Sequence, residues 1–148
     1  MTANAMTRAE IDAALHESGV GVLSLTDGAE TYAIPESFGY DGENLYFQFA
    51  YEEGSQKMAF AETTDLATLT VFSERPAWSV VVRGDIAPLS EVDAPEAADA
   101  IASNAAVPQF NVSPDSPAQD LQFDPYRLTP TERSGRAFGS IDGSTETF

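Results

Sequence analysis

Residues 30–50 read ETYAIPESFGYDGENLYFQFA, and this stretch decides the fold. Residues 30–38 have strand character. Asp41-Gly42 is a turn dipeptide, and Leu45, Phe47 and Phe49 then alternate along residues 44–50. Two such runs around a Gly-containing turn predict a β-hairpin. Pro35 interrupts the first run. Proline removes a ladder donor, so it marks a sheet edge, a bulge, or a place where something other than a strand pairs. Residues 43–48 also spell ENLYFQ, the recognition sequence of a viral protease used to remove tags. The segment fits strand periodicity on its own terms and is read as a coincidence.

Working outward, Thr7 and Glu10 form a T-x-x-E capping box, with Ile11, Ala14 and Leu15 behind it at helical spacing. A helix over 8–18 ends before Gly19. Val20, Val22, Leu23 and Leu25 make a strand closed by Asp27-Gly28. Beyond the hairpin come a short helix from Ser55 to about residue 62, and strands over 66–72 and 78–89. Asp93 caps a helix with Pro95 in its first turn, and Ala97, Ala98, Ile101, Ala102 and Ala105 are placed on one face. Residues 108–119 read as a loop and 121–128 as a last strand. No internal repeat is visible. Six short strands with two or three short flanking helices predict an α+β, mainly β domain, a closed or nearly closed barrel over residues 1–136. Residues 137–148 read as a polar tail.

The chain has 148 residues, one domain's length. Cysteine is absent, which excludes disulfides, zinc–thiolate sites and a cysteine nucleophile. Lys and Arg total 7 against 24 Asp and Glu, a net charge of −17. Nucleic-acid binding requires clustered cations, so that class is set aside. No apolar run reaches the length of a spanning helix and no signal peptide opens the chain, so a cytoplasmic protein without membrane contact is expected. The acids are spread along the chain, and 10% aromatic and 43% hydrophobic residues are enough for a core. Such self-repulsion is relieved by screening, which points to adaptation to molar salt; the alternatives, a DNA mimic or a binder of basic partners, would gather the acids on one face.

The single His16 has no partner motif, and reads as a surface or helix-end residue. No calcium-loop pattern, GxGxxG or P-loop is present, so no catalytic side chain and no metal ligand is assigned. Lys57 is the only lysine, in Gly54-Ser55-Gln56-Lys57 after the hairpin. A helix N-terminus there would offer free N–H groups, Ser55 a hydroxyl, and Lys57 a point charge, together a monophosphate cradle. The competing reading makes Lys57 a surface residue paired with Glu52 or Glu53.

Three segments, residues 32–42, 54–57 and 78–84, resemble the pyridoxamine 5′-phosphate oxidase-like FMN-binding split β-barrel proteins. Residues 126–128 and 135–136 resemble that family's closing strand. The likeness covers roughly residues 8–136 and is nearest to small haloarchaeal members. It implies a six-stranded split β-barrel and a homodimer with FMN in two clefts between subunits. By position, Pro35, Glu36, Ser37 and Phe38 would line the flavin ring, largely through backbone groups. Gln48 and Phe49 would lie beside the ring or ribityl chain, and Ser55, Gln56 and Lys57 would hold the phosphate. Gln56 stands where the family often has Arg. Ser79 would reach the flavin from the partner chain, with Trp78 either shielding the pocket or serving as an interface aromatic. The vitamin-binding His–Arg pair of the authentic oxidase is missing, so that activity is not expected. The resemblance implies a flavin-dependent oxidoreductase of unknown substrate. Alternatives are a deazaflavin (F420)-dependent reductase and a non-catalytic flavin- or haem-binding sensor.

Overall fold

A computed structural model of the chain describes residues 2–104 and 121–139. The elements are β1 (Ala3–Ala5), α1 (Arg8–Glu17), β2 (Val20–Asp27), β3 (Glu30–Ser37), β4 (Gly39–Tyr40), β5 (Leu45–Tyr51), α2 (Gln56–Thr63), β6 (Ala67–Glu74), β7 (Ala77–Pro88), α3 (Ala94–Asn104) and β8 (Gln122–Phe138). All described pairings are antiparallel. The sheet order is β3-β2-β6-β7-β8-β5-β4, with β1 added to β8. The expected α+β split-barrel architecture is present, with eight strands where six are expected and an open sheet. The two extra strands, β1 and β4, have three and two residues.

The local causes are those of the sequence. Thr7 Oγ1 accepts from the Glu10 amide and Glu10 Oε1 from the Thr7 amide, so the capping box starts α1. Ile11, Ala14 and Leu15 are its buried face. In β2, Gly21, Leu23 and Leu25 face the core while Val20, Val22 and Ser24 are half-buried on the other side. The β2–β3 and β4–β5 turns place Gly28 and Gly42 at φ 58° and 98°. Among the described strands β3 pairs only with β2, so Pro35, opposite Val22, sits on an edge strand and its missing donor costs no ladder bond.

Three expectations are corrected. The last strand does not stop at residue 128. It continues through Phe138, pairing β5 with its first half, β7 along most of its length and β1 at its end. The polar, Gly-containing sequence after Leu128 hid this. A Cβ at Gly135 would lie 2.7 Å from Met6 Sδ, so the Met6 side chain packs directly against the glycine, and Ala137 and Phe138 pair with Asn4 and Ala3, so residues 137 and 138 belong to the sheet. The helix face of α3 is Ala97, Ala100 and part of Ile101; Ala98 and Ala102 are exposed. Ala105, the 108–119 loop and residues 140–148 lie outside the described residues. The main core gathers side chains from α1, α2 and the inward faces of β2, β5, β6, β7 and β8, while α3 covers Tyr46 on the opposite side of β5.

Candidate functional site

Strand alternation divides the expected site residues. Across β2 and β3, Glu36 lies opposite Gly21 on the core face, whereas Pro35 and Ser37 lie opposite Val22 and Val20 on the outer face. Glu36 is fully buried although it is a carboxylate. Lys57, in the first turn of α2, is buried with it on the face that carries Phe60 and Ala61. Lys57 Nζ donates to Glu36 Oε1 at 3.0 Å and to the Ala50 carbonyl at 2.9 Å. The ammonium is 5.3 Å from the centroid of the Phe49 ring, which packs in turn on Tyr126 at 4.7 Å. Glu36, Phe49 and Lys57 are therefore brought together inside the core, with fully buried Phe38 in the same cluster.

Gln48 is not part of this group. It points to the other face of β5, the face that α3 covers at Tyr46. Ser79 lies opposite Phe72 on β6 and Arg136 on β8, on the outer face. Phe72 is 62% exposed there. Ser55 is half-buried at the N-cap of α2, its hydroxyl makes no capping bond, and Gln56 is exposed. Gly54 before them adopts φ 80°.

Neither sequence reading of Lys57 describes its contacts. It is not a surface residue paired with Glu52 or Glu53, and its charge is directed at Glu36. Burial drives the Glu36 carboxyl up to about 7 from an ordinary 4.5, and Lys57 opposes that rise. Glu36 Oε2 is also buried and accepts no well-aligned hydrogen bond among the described residues. Two signals in the sequence mark the pair. Tyr32, Ile34 and Glu36 share one strand face, and Lys57, Phe60 and Ala61 share one helix face, so each charge sits in line with apolar neighbours.

A second polar cluster lies between α1 and β4. Tyr40 Oη donates to Asp12 Oδ1 at 2.6 Å, and Arg8 Nε to the same oxygen at 2.9 Å. Burial alone would raise the Asp12 carboxyl, but those two donors hold it below its ordinary value. Burial and the Asp12 charge push the Tyr40 phenol up. His16 is exposed at the end of α1, its ring 5.0 Å from Tyr40. Among the described residues no group of three or more His, Asp or Glu could hold a metal ion. No described helix is long and apolar enough to cross a membrane.

The phosphate-bearing flavin that the resemblance implies would meet fitting groups at some of these positions and not at others. The first turn of α2 and the uncommitted Ser55 hydroxyl fit a phosphate. Among the described strands β3 pairs only with β2, so its outer edge could present backbone groups to a ring with donors and acceptors. The Lys57 ammonium does not fit as the phosphate's charge partner, because it is buried on Glu36. The exposed cations Arg83 and Arg136 lie instead on the outer face, Arg136 beside Ser79.

Comparison with known proteins agrees with this architecture. The structure of a candidate pyridoxamine 5′-phosphate oxidase from Corynebacterium glutamicum is similar, with a TM-score of 0.68, 22% identity, and coverage of 95% of this chain and 97% of that one. A FAD-binding protein from Mesorhizobium loti has a TM-score of 0.70 at 17% identity, over 95% and 99% of the two chains. The FAD binding protein from Mycobacterium smegmatis has a TM-score of 0.63 at 19% identity, over 93% and 99%. No curated protein matches the sequence. The sequence profile of the family described as pyridoxamine 5′-phosphate oxidase matches residues 7–137, and the chain belongs to that family.

Proposed function

We propose that the protein is a flavoprotein that holds FMN at the interface of a homodimer and acts as an oxidoreductase in a salt-rich cytoplasm. The observation that carries this reading is family membership over residues 7–137, joined to nearly full-length likeness to two proteins described as FAD-binding. In this arrangement the segment from Pro35 to Phe38, at the end of β3, meets the ring. Ser55 and the first-turn amides of α2 take the phosphate, with Gln56 beside them. The outer face of the second protomer adds Ser79, with Arg136 as the cation that buried Lys57 does not supply. Phe49 and the Glu36–Lys57 pair set the floor beneath the cleft, and Gln48 stands behind it toward α3. The flavin supplies the redox chemistry; the chain binds it, orients it and shields it. No side chain is given a proton-transfer role.

The deciding experiment is to denature the purified protein and read the spectrum and mass of whatever is released. FMN supports the proposal, FAD or F420 corrects the cofactor, and a colourless protein that takes up none of the three overturns it. Rapid-mixing reduction by NADH or NADPH tests turnover, and sedimentation equilibrium tests the dimer. A far-UV spectrum that gains secondary structure as KCl is raised supports salt adaptation; full structure in dilute buffer refutes it.

A further inference from the structure

A cleft of about 450 Å³ opens between α1, the turn leading into β7, and the ends of β1 and β8. Of the residues that the resemblance places at the flavin cleft it contains only Trp78, as either a shield of the pocket or an interface aromatic. One wall is a single face of α1, where Glu10, Ala13, Ala14 and Glu17 follow the i, i+3, i+4, i+7 spacing. The opposite wall is Pro76, Ala77 and Trp78 with Ala137 and Phe138, and Met6 closes one side. The two alanines leave room between two carboxylates that stand about 10 Å apart along the helix. The capping box fixes Glu10, and exposed Glu17 forms no ion pair among the described residues. Trp78 is half-buried and Phe138 is 40% exposed.

We infer that this cleft binds a small organic cation with an aromatic or branched apolar body. Its volume is in the range of small-molecule sites. Carboxylates are its only charged groups, so the pocket selects positive charge. Trp is the strongest cation–π partner among the aromatic residues and Phe138 adds a second ring. In dilute buffer the net charge of −17 raises the local concentration of cations further, an effect that salt screens. An anionic ligand finds no cationic side chain on these walls, where the Trp78 indole N–H is the one strong side-chain donor.

The test uses the purified full-length protein at fixed ionic strength, with benzyltrimethylammonium as probe. Trp78 is the only tryptophan, so its emission reports on this cleft. A saturable emission change at millimolar probe is expected, with benzyl alcohol and benzenesulfonate giving weaker binding or none. Glu17→Gln should weaken binding about fivefold, since one exposed charge contact contributes up to about 1 kcal/mol. Ala13→Leu, at an exposed helix position, should fill the cleft and abolish binding with an unchanged circular dichroism spectrum. Binding that is absent, equal for the three probes, or unaffected by both variants overturns the inference. So does an Ala13→Leu variant that dissociates a dimer while still binding the probe, which would assign the cleft to a second copy of the chain.

Discussion

Replacing Lys57 with methionine keeps the length of the side chain and removes its charge. Glu36 then loses its donor in a place with no access to water. Removing one partner of a buried ion pair costs about 3–5 kcal/mol. Protonation of Glu36 sets a ceiling on that loss. Holding a carboxyl neutral above its ordinary 4.5 costs about 1.4 kcal/mol per pH unit, but wild-type Glu36, raised to about 7, already bears that cost up to about pH 7, so the ceiling on the added loss is about 1.4 kcal/mol at pH 8 and near zero at pH 5. The variant should therefore be less stable than wild type by about 1.4 kcal/mol at pH 8 and close to wild type at pH 5. The double variant Glu36→Leu/Lys57→Met should recover most of the loss at pH 8, because an apolar pair of similar volume removes the desolvation cost. Urea unfolding at constant KCl, followed by Trp78 emission, measures all three proteins. Equal losses at the two pH values, or a double variant worse than the single one, would refute the assignment of the pair to the core. A lysine serving only a bound phosphate would behave in the opposite way, losing flavin at unchanged stability.

Three further perturbations probe the scaffold. Glu36 has a raised carboxyl, so its contribution to stability is complete below 4.5 and lost as pH rises through about 7, whereas Asp12 and Asp41 are held low and lose theirs only as pH falls below their ordinary 3.8; Glu36→Gln should flatten stability between pH 4.5 and 7 and leave the acid limb unchanged, in urea titrations across pH. Gly39→Ala would place a Cβ 2.3 Å from the backbone of Ala100 and Ile101, so the loss should be about 3 kcal/mol, with faster amide hydrogen exchange in α3; wild-type exchange there would count against the close contact. Thr7→Ala removes one half of the capping box and should cost about 1 kcal/mol in urea unfolding, with an unchanged core.

How much was legible follows from which interactions are local. The α1 cap, the hairpins and the in–out pattern of β2 rest on neighbours a few residues apart, and the sequence displays them. Pro35 correctly signals an edge because the cost of a missing donor depends only on whether a second strand pairs there. The last strand is different. Residues 129–138 are held by β7 and β1, more than forty residues away in sequence or farther, and Gly135 reads as a breaker until Met6 and Ile11 are seen to fill the space of its absent side chain. The same reason explains α3: alanines lie all round that helix, and only the position of Tyr46 decides which of them are covered.

Lys57 shows how a scarcity argument and a register argument can diverge. In a chain with a single lysine, its retention beside Gly54 and Ser55 points outward to a phosphate. Its spacing to Phe60 and Ala61 points inward, and Glu36 on the apolar face of β3 requires a partner of opposite charge at that depth. A buried carboxylate without one would be driven to protonate. The inward demand is met at 3.0 Å by a side chain that is 6% exposed. A single ammonium can neutralise one buried anion, and Glu36 is already in contact with it. In the proposed flavin complex the phosphate would therefore draw its charge compensation from helix amides and from arginines on the outer sheet face. That requirement makes Arg136, opposite Ser79, the cation that the proposed cleft between two protomers would use.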